Sequence, residues 1–166
     1  SGQLGNNSTL STQAPIQAIP TNSSIVSVAA GSSFSCVAVN GGVHCWGDNT
    51  FGQLGNNSTV QSLIPVGAIA VGSNVAGVSA GYGYSCAVAD GGVRCWGLNN
   101  SGQLGNNSSA QSLTPVQTIA AGGNVTAVSA GSSHACAVAN GGVQCWGSNY
   151  YGELGNNTNT TSRVPV

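Results

Sequence analysis

The sequence predicts an all-β protein built from repeated sheets of four antiparallel strands, and three observations predict it. A unit of fifty residues recurs along the 166-residue chain without insertion. Short β-branched and alternating runs are bounded in every copy by Gly, Pro, Asn and Ser, the signature of strands separated by turns. Glycine, present 26 times, punctuates every segment, and none sustains the 3.6-residue period of a helix.

The unit is defined by Gly-Gln-Leu-Gly-Asn-Asn at Gly2, Gly52 and Gly102, with Gly-Glu-Leu-Gly-Asn-Asn at Gly152. Prolines 15, 65, 115 and 165 keep the same spacing, as do Ala30-Gly31, Ala80-Gly81 and Ala130-Gly131 and the Cys-Trp-Gly triplets at Cys45, Cys95 and Cys145. Residues 151–166 therefore repeat residues 1–16, so the two ends are versions of one piece. The expected organisation is an end segment over 1–16 and repeats over 17–66, 67–116 and 117–166. Within one cycle strands are expected near Pro15–Ile19, Ile25–Ala30, Phe34–Val39 and Val43–Trp46, recurring fifty residues later.

The hairpin between the second pair of these strands is the sharpest local prediction. Asn40-Gly41, Asp90-Gly91 and Asn140-Gly141 are favoured pairs for a two-residue type I′ turn. Folding about Asn40-Gly41 opposes Val39 with Gly42, Ala38 with Val43, Val37 with His44 and Cys36 with Cys45. The cysteines fall on a non-hydrogen-bonded pair, where α-carbons lie about 4.5 Å apart. The predicted disulfides are thus Cys36–Cys45, Cys86–Cys95 and Cys136–Cys145, each contributing about 2 to 3 kcal/mol at best because the closed loop is short. Zinc is the rival ligand, but the spacing lacks a close Cys-x-x-Cys pair, and His44 becomes Arg94 and Gln144 in the sister copies. Neither a metal nor a cofactor is expected. One hairpin face carries Cys36, Ala38, Val43 and Cys45, the other Val37, Val39 and Trp46. Apolar residues on both faces imply a sheet covered on both sides, with position 44 left to meet solvent.

Charge narrows the partners. Asp48, Asp90, Arg94, Glu153 and Arg163 are the only formally charged side chains, and the net charge is -1. Two arginines cannot neutralise a run of phosphates, so neither nucleic acid nor an anionic membrane surface is expected as a partner. No apolar run approaches the 18 to 20 or so residues of a membrane helix, so no membrane insertion is expected. So weakly charged a surface promotes association unless something covers it. Glycans are one covering, since Asn-x-Ser/Thr acceptors occur at Asn7, Asn22, Asn57, Asn107, Asn124 and Asn159, and also at Asn6, Asn56, Asn99, Asn106 and Asn156. Neighbouring copies of the protein are the other. Paired cysteines point to an oxidising compartment, hence to a secreted or cell-surface protein. A start at Ser1 and the absence of methionine suggest a processed, excised or incomplete product.

The order Val-x-x-Val-x-Ala-Gly, Ser-Cys-x-Val, Gly-Gly-Val-x-Cys-Trp-Gly-x-Asn, Gly-Gln-Leu-Gly and a late Pro-Val, clearest from Val75 to Val116, resembles the regulator-of-chromosome-condensation repeat family. The resemblance covers essentially the whole chain. It implies β-propeller blades of four antiparallel strands, typically seven to a ring. The cysteine pair departs from nuclear members and is similar to a variant of secreted bacterial relatives. Known members include a guanine-nucleotide exchange factor that binds chromatin and an inhibitor of β-lactamases. The basic surface of the first and the partner-specific loops of the second have no counterpart among these residues, so the fold transfers better than either role. Three blades make an incomplete ring unless the chain oligomerises or belongs to a longer array.

No catalytic constellation emerges, and the chain is expected not to be an enzyme. Asp48, Asp90 and Glu153 are isolated, and Asp90 is a turn residue. His134 recurs as Phe34 and Tyr84, which reads as a semi-exposed aromatic position. Trp46, Trp96 and Trp146 read as packing beside the disulfides in preference to sugar platforms. The Gly-Gln-Leu-Gly-Asn-Asn segments lack the lysine and helix of a phosphate loop and read as blade-to-blade connections with positive φ at glycine. The function expected is structural: an extracellular repeat protein that self-assembles as a head-to-tail polymer or an oligomeric propeller. The alternatives are a binding module presenting positions 44, 48 and 60–67 to a protein or glycan, and a fragment of a longer secreted propeller protein.

Overall fold

Eleven strands and no helix make up the computed structural model, which describes residues 1–166. The first sheet contains β1 (Ile25–Ala30), β2 (Phe34–Val39), β3 (Gly42–Gly47) and β4 (Ser62–Ile69), hydrogen-bonded in that order. The second repeats it with β5 (Val75–Ala80), β6 (Tyr84–Ala89), β7 (Gly92–Gly97) and β8 (Ser112–Ile119). The third has three strands, β9 (Val125–Ala130), β10 (His134–Ala139) and β11 (Gly142–Gly147). All pairings are antiparallel. The result is three consecutive propeller blades in an unclosed arc, and the last strand of each of the first two sheets runs on past residues 66 and 116 respectively.

The hairpins have the expected register. Val39 pairs with Gly42, Ala38 with Val43, Val37 with His44 and Cys36 with Cys45. Asn40 and Gly41 both have positive φ, 52° and 73°, as a type I′ turn requires. Disulfides close Cys36–Cys45, Cys86–Cys95 and Cys136–Cys145, with Cα separations of 4.1, 4.1 and 4.0 Å.

The strand expected at Pro15–Ile19 is absent. Its equivalents β4 and β8 exist because each pairs with the hairpin that precedes it, as in Val43 with Ile69 and Val93 with Ile119. Residues 12–19 have no preceding hairpin, so their backbone finds no ladder and they form irregular chain. They still pack: Ala18 and Ile19 lie against Val37, Val39 and Trp46. β4 and β8 also begin three residues earlier than the expected Pro65 and Pro115.

The core lies between sheets. One face of blade 1 (Cys36, Ala38, Val43, Cys45) meets the opposite face of blade 2 (Ala87, Ala89, Trp96). Blade 2 presents Cys86, Val88, Val93 and Cys95 to Ala135, Ala137, Ala139 and Trp146 of blade 3 in the same way. The two-faced apolar pattern of the hairpins is therefore explained by blade stacking. Backbone bonds reinforce each junction: the Asn40 and Gly41 carbonyls accept from Gly72 and Val75, and those of Asp90 and Gly91 from Gly122 and Val125.

Candidate interaction surface

The repeated junction defines what an occupied blade face looks like, and it starts from a loop. Gly52 to Asn57 turns back on itself through positive φ at Gly52, Gly55 and Asn57 and lays its backbone on the next blade. The Gln53 carbonyl accepts the Trp96 indole N–H at 2.8 Å and the Ser85 hydroxyl at 3.0 Å. Gly55 sits so close that a Cβ would lie 2.8 Å from the indole nitrogen. Asn57 then donates to the Leu113 carbonyl at 2.9 Å. Trp96 and Trp146 pack beside the disulfide of the preceding blade, not that of their own hairpin, whereas Trp46 packs under the N-terminal segment.

The loop is held by a residue whose role the family motif hints at but spacing alone does not reveal. Asn49 is fully buried; its amide nitrogen donates towards Asn56 Oδ1, the Ser58 carbonyl and the Val60 carbonyl, while its Oδ1 accepts from Leu54 N–H. Asn99 and Asn149 repeat this network fifty and one hundred residues on. The available signal was an asparagine after every Cys-Trp-Gly-x.

Four copies of the loop exist, and three are occupied. Residues 2–7 sit on Trp46 through the Gln3 carbonyl, and residues 102–107 sit on Trp146 through Gln103. Around the fourth, nothing lies within 4 Å of a Cβ built at Gly152 or Gly155. Tyr150 and Tyr151 beside it are exposed and pack edge to face. In blade 1 the equivalent Phe51 rests on Gly83 of the next blade.

The hairpin face of blade 3 is open in the same sense. Val143 is 68% exposed, whereas Val43 and Val93 are completely buried. Val138 and Val143 line a shallow apolar depression with Val128, Ala137 and Cys136. Position 134 was expected to be semi-exposed, and this holds only for His134. Phe34 and Tyr84 are buried because a following blade covers them. Burial pushes the Tyr84 phenol well above its ordinary pKa, and its hydroxyl donates to the Gly131 and His134 carbonyls of blade 3. The blades thus differ in the accessibility of their disulfides. Mild reductant under native conditions is expected to open Cys136–Cys145 first, because Cys136 is half-buried while Cys36, Cys45, Cys86 and Cys95 are fully buried. Alkylation followed by peptide mass spectrometry checks this, and equal rates at all three bridges would contradict the open face.

The charged residues do not converge. Asp48 accepts from Thr50 and Gln53. Asp90 occupies its turn and pairs with Arg94 at 3.4 Å, a half-exposed contact of small energetic weight. Hydrogen bonds from the backbone of Glu153 itself, and then from Tyr151, hold the Glu153 carboxyl below the usual range against a smaller opposing effect of burial. His44 is half-buried and lies beside Gly67–Val71. No group of three His, Cys, Asp or Glu side chains is placed to hold a metal ion. Asn7, Asn22, Asn57, Asn107, Asn124 and Asn159 are all exposed. The amide of Asn99 is committed inside the loop and leaves no room for a glycan.

Comparison with known proteins agrees with this architecture. The family model described as the Regulator of chromosome condensation (RCC1) repeat matches residues 1–38, 40–88 and 90–138, and a second model of the same repeat matches 25–53, 75–103 and 125–153. No curated protein matches the sequence closely enough to count as a relative. Among solved structures, human WBSCR16 is similar with TM-score 0.75 and 23% identity, covering 98% of this chain and 46% of its own. Yeast RCC1 (Prp20), solved bound to Kap60, is similar with TM-score 0.73 and 21% identity, covering 84% of this chain and 36% of its own. A second structure of Prp20p from Saccharomyces cerevisiae, whose described binding properties are to Gsp1p and histones, has the same TM-score and identity and covers 84% and 37%. The chain spans less than half the length of these proteins.

Proposed function

The chain belongs to the regulator of chromosome condensation (RCC1) repeat family, and on that premise we propose that it is a non-catalytic, extracellular assembly protein that associates head to tail with further copies of itself. The propeller-repeat fold is a scaffold for binding proteins, and three disulfides suit an oxidising environment. The observation that carries the reading is the exposed face of blade 3, whose equivalents in blades 1 and 2 are buried against another blade. A net charge of -1 supplies little repulsion between copies. Such a contact joins two different surfaces, so it yields a ring where the rotation closes and a filament where it does not.

Sedimentation velocity over a wide concentration range tests this. Species larger than the 16.2 kDa chain are expected to grow with concentration, and a monomer at every concentration would sink the proposal. A second reading, a module that presents loop positions to a protein or glycan, is favoured by the half-exposed, variable site of His44 and Arg94, with Gln144 exposed. Saturable capture of one ligand by a non-associating form would support it. In a longer array the next blade of the same polypeptide would cover the open face.

A further inference from the structure

We propose that a cleft at the junction of blades 1 and 2, built from Asp48, Phe51, Tyr82 and Gly83, binds a neutral saccharide. This rests on the second reading above, that of a binding module, and names the ligand class and the site. The cleft lies between two complete four-stranded blades, at the end of the sheets opposite the type I′ turns. Its parts are departures from an otherwise repeated pattern. Asp48 stands where the sister copies have Leu98 and Ser148, Phe51 where blade 2 has Ser101, and Tyr82-Gly83 where both sisters have Ser-Ser. All four aromatic side chains outside the core, Phe51, Tyr82, Tyr150 and Tyr151, lie at this end of the blades.

The departures fit one another. Gly83 alone among the three equivalents has a positive φ, 70°, and a Cβ there would lie 2.8 Å from Phe51 Cδ2. Glycine therefore lets the phenyl ring lie against the β5–β6 turn, where Tyr82 stands 54% exposed. Tyr82 divides two depressions. One, of about 50 Å³, is lined by Asp48, Phe51, Ser32 and Ser33; the other, of about 300 Å³, is shared with the turns at Gly31-Ser32 and Gly131-Ser132. The Asp48 carboxylate is held in place, accepting from the Thr50 hydroxyl at 2.7 Å and the Gln53 amide at 2.8 Å, while Gln53 accepts the Phe51 N–H at 2.9 Å. A half-exposed carboxylate with about four lone-pair positions keeps capacity for a ligand hydroxyl. An aromatic ring beside an oriented acceptor and serine hydroxyls matches a sugar, whose C–H face packs on the ring and whose hydroxyls donate to the carboxylate. Neither arginine lines the depressions, so an anionic ligand would meet no counter-charge.

Saturation-transfer NMR with neutral hexasaccharides of glucose, N-acetylglucosamine, mannose and xylose reads the binding directly. At least one is expected to bind the wild type, and titration gives its affinity. Tyr82→Ser and Asp48→Ser each install the residue that a sister blade carries. Both are expected to weaken binding at least about tenfold while leaving the thermal midpoint unchanged, since neither side chain belongs to the core. Val60→Ala, at an exposed position outside both depressions where blade 2 has Ala110, should bind as the wild type does. Binding that either Tyr82→Ser or Asp48→Ser leaves unchanged overturns this site and leaves the module reading standing. If no hexasaccharide binds, the saccharide assignment is overturned; saturable capture of a protein then keeps the module reading, and capture of nothing overturns both.

Discussion

Trp96→Ala is expected to destabilise the protein by about 4 kcal/mol, which for a chain of this size lowers the thermal midpoint by roughly 8 to 16 °C. The indole is fully buried where blade 1 meets blade 2, among Cys36, Cys45, Leu54 and Ala87. Its removal leaves a cavity that the sheets on either side, held by their own ladders, cannot collapse to fill. The lost hydrogen bond is the smaller part, because the Gln53 carbonyl keeps the Ser85 hydroxyl as a donor. Trp46→Ala is the internal control. Trp46 has the same chemistry, but its cover is the N-terminal segment, with only Ala18 and Ile19 packed on its cluster. The control is expected to cost about half as much and to release residues 1–19 without separating blades. Denaturant unfolding of both variants decides the matter, and equal losses would show that blade stacking is not the main source of cohesion.

Asn99→Ala is expected to have a comparable effect, about 4 kcal/mol, through polar groups alone. Two amide hydrogens of Asn99 serve Asn106 Oδ1 and the carbonyls of Ser108 and Ala110, and its oxygen receives the N–H of Leu104. Truncation orphans that buried N–H and two or more carbonyls, and each unsatisfied group costs about 1 to 3 kcal/mol. Asn99→Asp separates size from chemistry, since a carboxylate cannot donate to the carbonyls and should be at least as harmful. Hydrogen exchange at Leu104 gives the local readout: protection should fall sharply in either variant. Retained protection would mean that glycine geometry, and not the asparagine, shapes the loop.

Much of the molecule was legible because its information is local. The Asn40-Gly41 turn sets the hairpin register, and the register places Cys36 opposite Cys45 and sorts Val37 and Val39 from Ala38 and Val43. The strand at Pro15–Ile19 was not legible in the same way. Its residues match Pro65–Ile69 in pattern, yet a strand is a relation between two segments, and residues 12–19 have no partner. Exposure at position 134 failed for a related reason. The sequence shows Phe34, Tyr84 and His134 at one site, but their burial depends on whether another blade follows. The asparagine network was written in all three repeats, and only the fold shows that Asn49, Asn99 and Asn149 are interior anchors.

By itself, then, the sequence determined what is set within one hairpin: antiparallel strand pairs, type I′ turns, three disulfides and apolar residues on both sheet faces. Tertiary structure alone decided which faces are filled. Blade 1 lends its disulfide face to Trp96, blade 2 lends its own to Trp146, and blade 3 leaves Cys136, Val138 and Val143 uncovered. The physical reason lies in range. Turn conformation and hairpin register follow from a few consecutive backbone torsions, whereas burial of an apolar face requires a second surface from a distant part of the chain.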